Sequence, residues 1–224
     1  MKKIILLLLI SFQLVANAQP ITLASPESQG FSSERLKRLD REMNNWVDYG
    51  WMQGGTALVI RNNKIIYYKA VGFNDKEQKV AMQKDNIFRI ASQTKAITSV
   101  AIMILFEEGK LLLDDPVSKY IPAFAKQQVL DKFNAADTTY TTVPAKKEIT
   151  IRELLTHTSG LGYAQIGSRE ANAIYAKSNI TAGIGVQGDK LLDAMSRLGK
   201  LPLMHQPGEK WTYGLNTDLL GCLV

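Results

Sequence analysis

"RIASQTKAITSVAIMILFEEG", Arg89 to Gly109, decides the fold. Ile97, Val100, Ala101, Ile104 and Leu105 make one helical stripe, and Ile102, Met103 and Phe106 fill the other sides. A helix that is apolar all round is expected to be buried, and Gly109 to stop it. Two polar side chains stand at its front. Ser92 and Lys95 are three residues apart, so on a helix they share a face, where a strongly hydrated ammonium is costly to bury.

On spacing alone two readings stand. In one, Ser92 caps the helix and Lys95 snorkels to solvent from the first turn. In the other they form an activated nucleophile. An amine in apolar surroundings at the positive end of a helix loses its proton more easily, and a neutral Lys95 would accept the proton of Ser92. The helix start also aims backbone N–H groups, that of Ser92 among them, at the place where an oxyanion forms. Among the serines only Ser92 has a lysine three residues on.

Upstream, Leu36, Leu39, Met43, Trp46 and Val47 recur at helical spacing between Ser33 and Tyr49, with a serine available as the N-cap. Thr56 to Ile60 and Lys64 to Ala70 are rich in strand-forming residues and flank Asn62-Asn63, a pair that tolerates the positive φ of a tight hairpin turn. At the start, Lys2-Lys3, the apolar run Ile4 to Ile10 and the small residues of Ala16-Asn17-Ala18 read as a signal peptide over residues 1–18. Export to the periplasm or beyond is expected, with a mature chain from near Gln19. The apolar run is too short for a permanent membrane span, and no cysteine follows the cleavage point to take a lipid, so no stable membrane anchor is expected.

The chain has 224 residues, 46% hydrophobic and 21% charged, an ordinary globular composition. Without Lys2 and Lys3 the formal charge falls from +6 to +4, spread along the chain with no basic stripe, which excludes a nucleic-acid-binding surface. One cysteine cannot close an internal disulfide, and two histidines are poor material for a metal cage. Cys222 reads as a small buried hydrophobe.

Downstream, Leu111 to Pro122 reads as turn and short helix around Asp115-Pro116, and Gln127 to Glu148, lacking a clear period, as a long surface excursion. Thr150 with Glu153 makes a capping box for a short helix from Ile151 to His157, closed by Gly160. Asp189 to Leu198 and Asn216 onward are further helices. Strands at the front followed by helices give an α+β class. A two-stranded hairpin covers little helix surface, and Leu219 to Val224 is an apolar helical pattern with no C-cap. The chain is therefore expected to be the N-terminal part of a longer protein.

Three further stretches sit in a recognisable order around Ser-x-x-Lys: "GKLLLDDPVSKYIP" (Gly109 to Pro122), "LLTHTSGL" (Leu154 to Leu161) and "PGEKWTYGLNTDLLG" (Pro207 to Gly221). Together they resemble the serine β-lactamase and penicillin-binding-protein superfamily, in the branch holding class C β-lactamases, D-alanyl-D-alanine peptidases and related serine esterases. The resemblance runs from about Gly30 to Val224. It implies a β-lactamase/transpeptidase-like fold, an antiparallel sheet with flanking helices and a helical subdomain, as a single domain over 19–224 whose C-terminal sheet strands are absent from this chain. It further implies Ser92 as the acylated nucleophile, Lys95 as its partner base, and Tyr213 as the phenol that shuttles the proton. The partner is a small-molecule ester or acyl substrate; no metal or organic cofactor is implied.

Two departures matter. Lactamases and peptidases of this branch carry Tyr-x-Asn, the asparagine holding the substrate's amide. Here position 215 is leucine and Asn216, the candidate substrate-binding residue, comes one place late, which tilts the reading toward ester hydrolysis. The family's third box, Lys-Thr-Gly or His-x-Gly, supplies the second oxyanion donor and does not follow Tyr213. The alternatives are a class C-type β-lactamase or D-alanyl-D-alanine peptidase, and a catalytically silent binding or sensor domain. His157 reads as a helix C-terminal cap, and Asp114 and Asp115 as turn and cap residues.

Overall fold

Asn62 and Asn63 both adopt positive φ, 49° and 56°, and turn the chain between two antiparallel strands as their sequence predicts. The computed structural model describes residues 21–180 and 188–224; the signal-peptide reading of residues 1–18 lies outside them. The chain divides into two compact units, residues 1–88 and 89–224, a division inside the span read above as one domain. The mixed α+β class is present in both.

In the first unit, β2 (Gly54–Arg61) and β3 (Lys64–Asp75) form the hairpin, longer at both outer ends than its apolar runs suggest. β1 (Thr22–Leu23) pairs parallel with β3 on its other side, and β4 (Val80–Ala81) pairs with its far end. The helix α1 (Ser33–Asp48) is capped by the Ser32 hydroxyl, which accepts from the Arg35 N–H. It packs on β3 through buried Met43 and Tyr67, and the Tyr67 phenol donates to Asp40 at 2.8 Å. Gly72 is required where the strand end meets the turn before β2, because it has φ +69° and a Cβ there would stand 2.5 Å from the Gln53 carbonyl oxygen.

The second unit is built on α2 (Thr94–Glu107), preceded by a single 3₁₀ turn, Ala91–Gln93. Its core gathers Ile102, Phe124, Ile149, Ile151, Leu154, Leu161, Tyr175, Leu198 and Leu203. Around it stand α3 (Ile151–Leu155), α4 (Arg169–Lys177), α5 (Leu191–Leu198) and α6 (Asn216–Leu220). Here the sequence reading needs correction, since of α2 only Ile102 is fully buried while Ile97 and Val100 are 61% and 60% exposed. Composition states what a helix surface prefers; among the described residues of this unit, α6 packs against α2 on one side.

Gln127 to Glu148 is not an irregular excursion but a second hairpin, β5 (Gln128–Phe133) with β6 (Tyr140–Pro144). A register shift between Leu130 and Lys132 breaks the alternation, and every residue of β6 is exposed, so no period could show. The usable signal was the strand propensity of Tyr140 to Val143. α4 was also missed, although Ser168 caps it and Ala171, Ile174 and Tyr175 fall at helical spacing on its buried side.

The capping box forms as expected: Thr150 Oγ1 accepts from the Glu153 N–H at 3.3 Å, and Glu153 accepts from the Thr150 N–H at 3.0 Å. Glu153 also pairs with Lys147 at 2.5 Å. Thr150→Ala is expected to cost about 1 kcal/mol and to lower the melting temperature by roughly 2–4 °C, read by circular dichroism. An unchanged melting temperature would show that the cap adds nothing to what the core holds. Asp115 is a turn residue as predicted, accepting from Tyr120 at 2.5 Å and the Leu112 N–H at 2.9 Å, which hold its carboxyl down at about 2. Cys222 is half-buried, and burial with nearby Asp218 pushes its thiol up to about 11.

Candidate active site

A neighbouring pair and one side chain from 121 residues beyond Ser92 meet at the front of α2. Ser92 lies in the 3₁₀ turn, Lys95 in the first helical turn, and Tyr213 in the loop that leads into α6. Ser92 Oγ and the Tyr213 phenol share a hydrogen bond of 2.7 Å, and Lys95 Nζ donates to Ser92 Oγ at 3.3 Å. The ammonium also lies over the Tyr213 ring, 5.1 Å from its centre. Ser92 is exposed and Lys95 half-buried. The Lys95 ammonium therefore rests against the face of an aromatic ring and is not buried in an apolar helix front.

The hydroxyl is presented by a strained backbone. Ala91, the residue before it, has φ +44°, a conformation a side chain with a Cβ rarely adopts. Such strain persists only where the surroundings over-determine it.

Tyr213 is held by two stacked rings. His157 stacks at 5.1 Å with an interplanar angle of 28°, and Tyr163 at 5.6 Å and 10°. The loop is tied down by backbone bonds, from the Thr212 N–H to the His157 carbonyl at 2.8 Å and from the Leu215 N–H to the Gly162 carbonyl at 3.0 Å. The hydrogen bond from Ser92, and then Lys95, hold the Tyr213 phenol below its usual value of 10, against the opposing effect of burial. Asp218 on α6 is pushed up by burial while the charge of Lys95 pulls it down.

The other sequence-predicted residues are placed differently. Asn216 is fully buried, with Oδ1 accepting from Ser159 Oγ at 2.5 Å and Nδ2 meeting His157 Nδ1 at 2.9 Å. Both ends of its amide are engaged within the chain, so Asn216 stands behind the site and is not presented to a substrate. His157 is not a helix cap through its side chain: at φ 56° the chain reverses, and the ring turns to Asn216 and Tyr213. Tyr163 was missed, and its signal was an aromatic residue just beyond "LLTHTSGL". Among the described residues no group of three His, Cys, Asp or Glu side chains is placed to hold a metal, and no helix is long and apolar enough to cross a membrane.

A hydroxyl bonded to a phenol held below its normal pKa, with a cation beside both, is an arrangement for transferring a proton as a nucleophile attacks. Several known proteins are similar to this chain. The chain is 34% identical over 207 residues to the esterase EstB of Burkholderia gladioli, covering 91% of this chain and 49% of that protein. To a putative D-alanyl-D-alanine carboxypeptidase of Escherichia coli it is 32% identical over 228 residues, covering 97% of this chain and 48% of the other. The chain thus spans about half the length of these relatives. Among solved structures, EstCE1, described as a hydrolase with promiscuous acyltransferase activity, superposes with a TM-score of 0.71 at 31% identity, over 84% of this chain and 45% of that one. Residues 39–224 match the Beta-lactamase family, a span that includes Ser92, Lys95 and Tyr213, and the chain belongs to that family.

Proposed function

We propose that this chain is the nucleophile-bearing part of an exported serine hydrolase that acts on carboxylic esters or related small acyl compounds through an acyl-Ser92 intermediate. The observation that carries the reading is the Ser92 hydroxyl held between the Tyr213 phenol at 2.7 Å and the Lys95 ammonium at 3.3 Å. With Tyr213 in its phenolate form, favoured by Ser92 and Lys95, Ser92 Oγ attacks the substrate carbonyl as its proton passes to the phenolate oxygen, and the carbonyl π electrons move onto oxygen. The N–H of Ser92, in the first turn where such groups lack intrahelical partners, faces the oxyanion. Tyr213 then gives its proton to the departing alkoxide as the ester C–O bond breaks, and water repeats the sequence to free the acid. Lys95 remains beside the phenol and stabilises it when it is charged. Leu215 at the place of the amide-holding asparagine, and the esterase among the relatives, favour esters. Lys2-Lys3, the apolar run and Ala16-Asn17-Ala18 support export. The carboxypeptidase relative favours, as a second reading, a D-alanyl-D-alanine peptidase or β-lactamase.

The chain exposed to p-nitrophenyl butyrate, quenched with acid and weighed intact is expected to carry a butyryl group that maps to the peptide holding Ser92. The same experiment with benzylpenicillin is expected to give neither a lasting adduct nor rapid turnover. A stable penicilloyl enzyme without a butyryl one would replace the ester reading by the second.

A further inference from the structure

Behind Tyr213 runs a buried polar chain that the acyl transfer itself does not use. Ser159 Oγ accepts from the Leu161 N–H at 3.1 Å and donates to Asn216 Oδ1 at 2.5 Å, and Asn216 Nδ2 lies 2.9 Å from His157 Nδ1. Ser159 and Asn216 have no exposed surface. With Oδ1 taken by the Ser159 proton, the amide can offer only N–H to the ring. Nδ1 must then carry a lone pair, which leaves the imidazole neutral with its proton on Nε2. The same ring stacks on Tyr213, and the same residue's carbonyl accepts from the Thr212 N–H.

We propose that His157 is a positioning residue: Asn216 holds it as the neutral Nε2–H tautomer against Tyr213, and a proton on Nδ1 breaks the junction and releases Tyr213 from its place beside Ser92. The inference rests on the hydrolase reading above. Protonation sets N–H against N–H. Inverting the Asn216 amide to avoid this gives Nδ2 to Ser159 Oγ and strands the buried Ser159 hydroxyl proton without a partner, a substantial penalty in a site closed to water.

The surroundings agree with a neutral ring. Burial first, and then the charge of Lys95 on α2, hold His157 below its ordinary value. Of the other groups about it, Tyr213 is the titratable ring stacked on it and Trp211 an uncharged ring at 6.1 Å. Asp218, on the same helix as Asn216, acts on Tyr213, and Glu153, on the helix leading to His157, is paired with Lys147. Among the described residues the ring is thus without a carboxylate partner.

The chain contains two histidines, so ¹⁵N NMR of the imidazoles is assignable with His157→Gln as the reference. At pH 7 His157 is expected as the Nε2–H tautomer with a midpoint below 6.5, and the Tyr213 ring signals are expected to move with that same midpoint. Asn216→Asp, whose carboxylate can accept from both Ser159 and an imidazolium, is expected to tighten proton binding by about tenfold or more. Below the limb that Tyr213 sets, the further loss of p-nitrophenyl butyrate hydrolysis that follows His157 protonation should then begin at higher pH by the same amount. A proton on Nδ1 at pH 7, Tyr213 signals that ignore the titration, or a midpoint unmoved by Asn216→Asp overturns the proposal. The titration of the unaltered chain decides even where Asn216→Asp does not fold. The expected NMR result without ester turnover at any pH would leave the tautomer lock standing and remove the hydrolase reading instead.

Discussion

Ser92→Ala is expected to remove the acyl adduct entirely and to lower kcat on p-nitrophenyl butyrate by about 10⁴-fold or more, since the members of a nucleophilic unit fail together. Tyr213→Phe keeps the stacked ring and loses only the oxygen that shares a 2.7 Å bond with Ser92, so a fall of roughly 10²–10⁴-fold follows from lost proton transfer. The pH profile separates the parts. A phenol held below its usual value by Ser92 and Lys95 becomes the proton-accepting phenolate at lower pH than a free one, so kcat/KM is expected to rise with pH through a limb below about 10. Lys95→Met removes the positive charge and is expected to shift that limb upward. A Ser92→Ala chain that retains ordinary turnover would sink the reading at once.

Gly214→Ala is expected to be the most damaging single methyl in the site. A Cβ at this position would stand 2.0 Å from the Leu161 carbonyl oxygen and 2.7 Å from that of Gly162. Both are backbone atoms, and the second is the acceptor that ties down Leu215, so neither can swing aside. Overpacking of this kind costs about 3 kcal/mol or more, a fall of roughly 6–12 °C in melting temperature. Activity is expected to fall further than stability, because the displaced segment carries Tyr213. A melting temperature within a degree of the parent chain would mean that the Leu161 segment yields easily.

The parts of the fold written in local chemistry were legible. An asparagine pair sets a hairpin turn, and a Thr-x-x-Glu sets a helix start, because each acts on its own backbone. The Ser92 and Lys95 pairing was legible for the same reason, three residues on one helical face. What escaped depends on neighbours far away in sequence. The β5–β6 hairpin has a bulge and an exposed strand, so periodicity is silent there. The exposure of α2 is set by what packs on it, not by its residues. Asn216 illustrates the point most directly. Its distance from Tyr213 in sequence suggested a substrate contact, while its true partners, Ser159 and His157, lie 57 and 59 residues earlier.

The rings stacked on Tyr213 bear on the temperature dependence of the proposed reaction. Its side-chain torsions are already fixed by His157 and Tyr163 before any substrate arrives, so ordering this group contributes little to the activation entropy. The entropic part of the barrier then falls on the substrate. Among esters of equal reactivity, those with short or rigid acyl chains lose least freedom on binding, and the site ranks them by their own stiffness before any pocket has to discriminate.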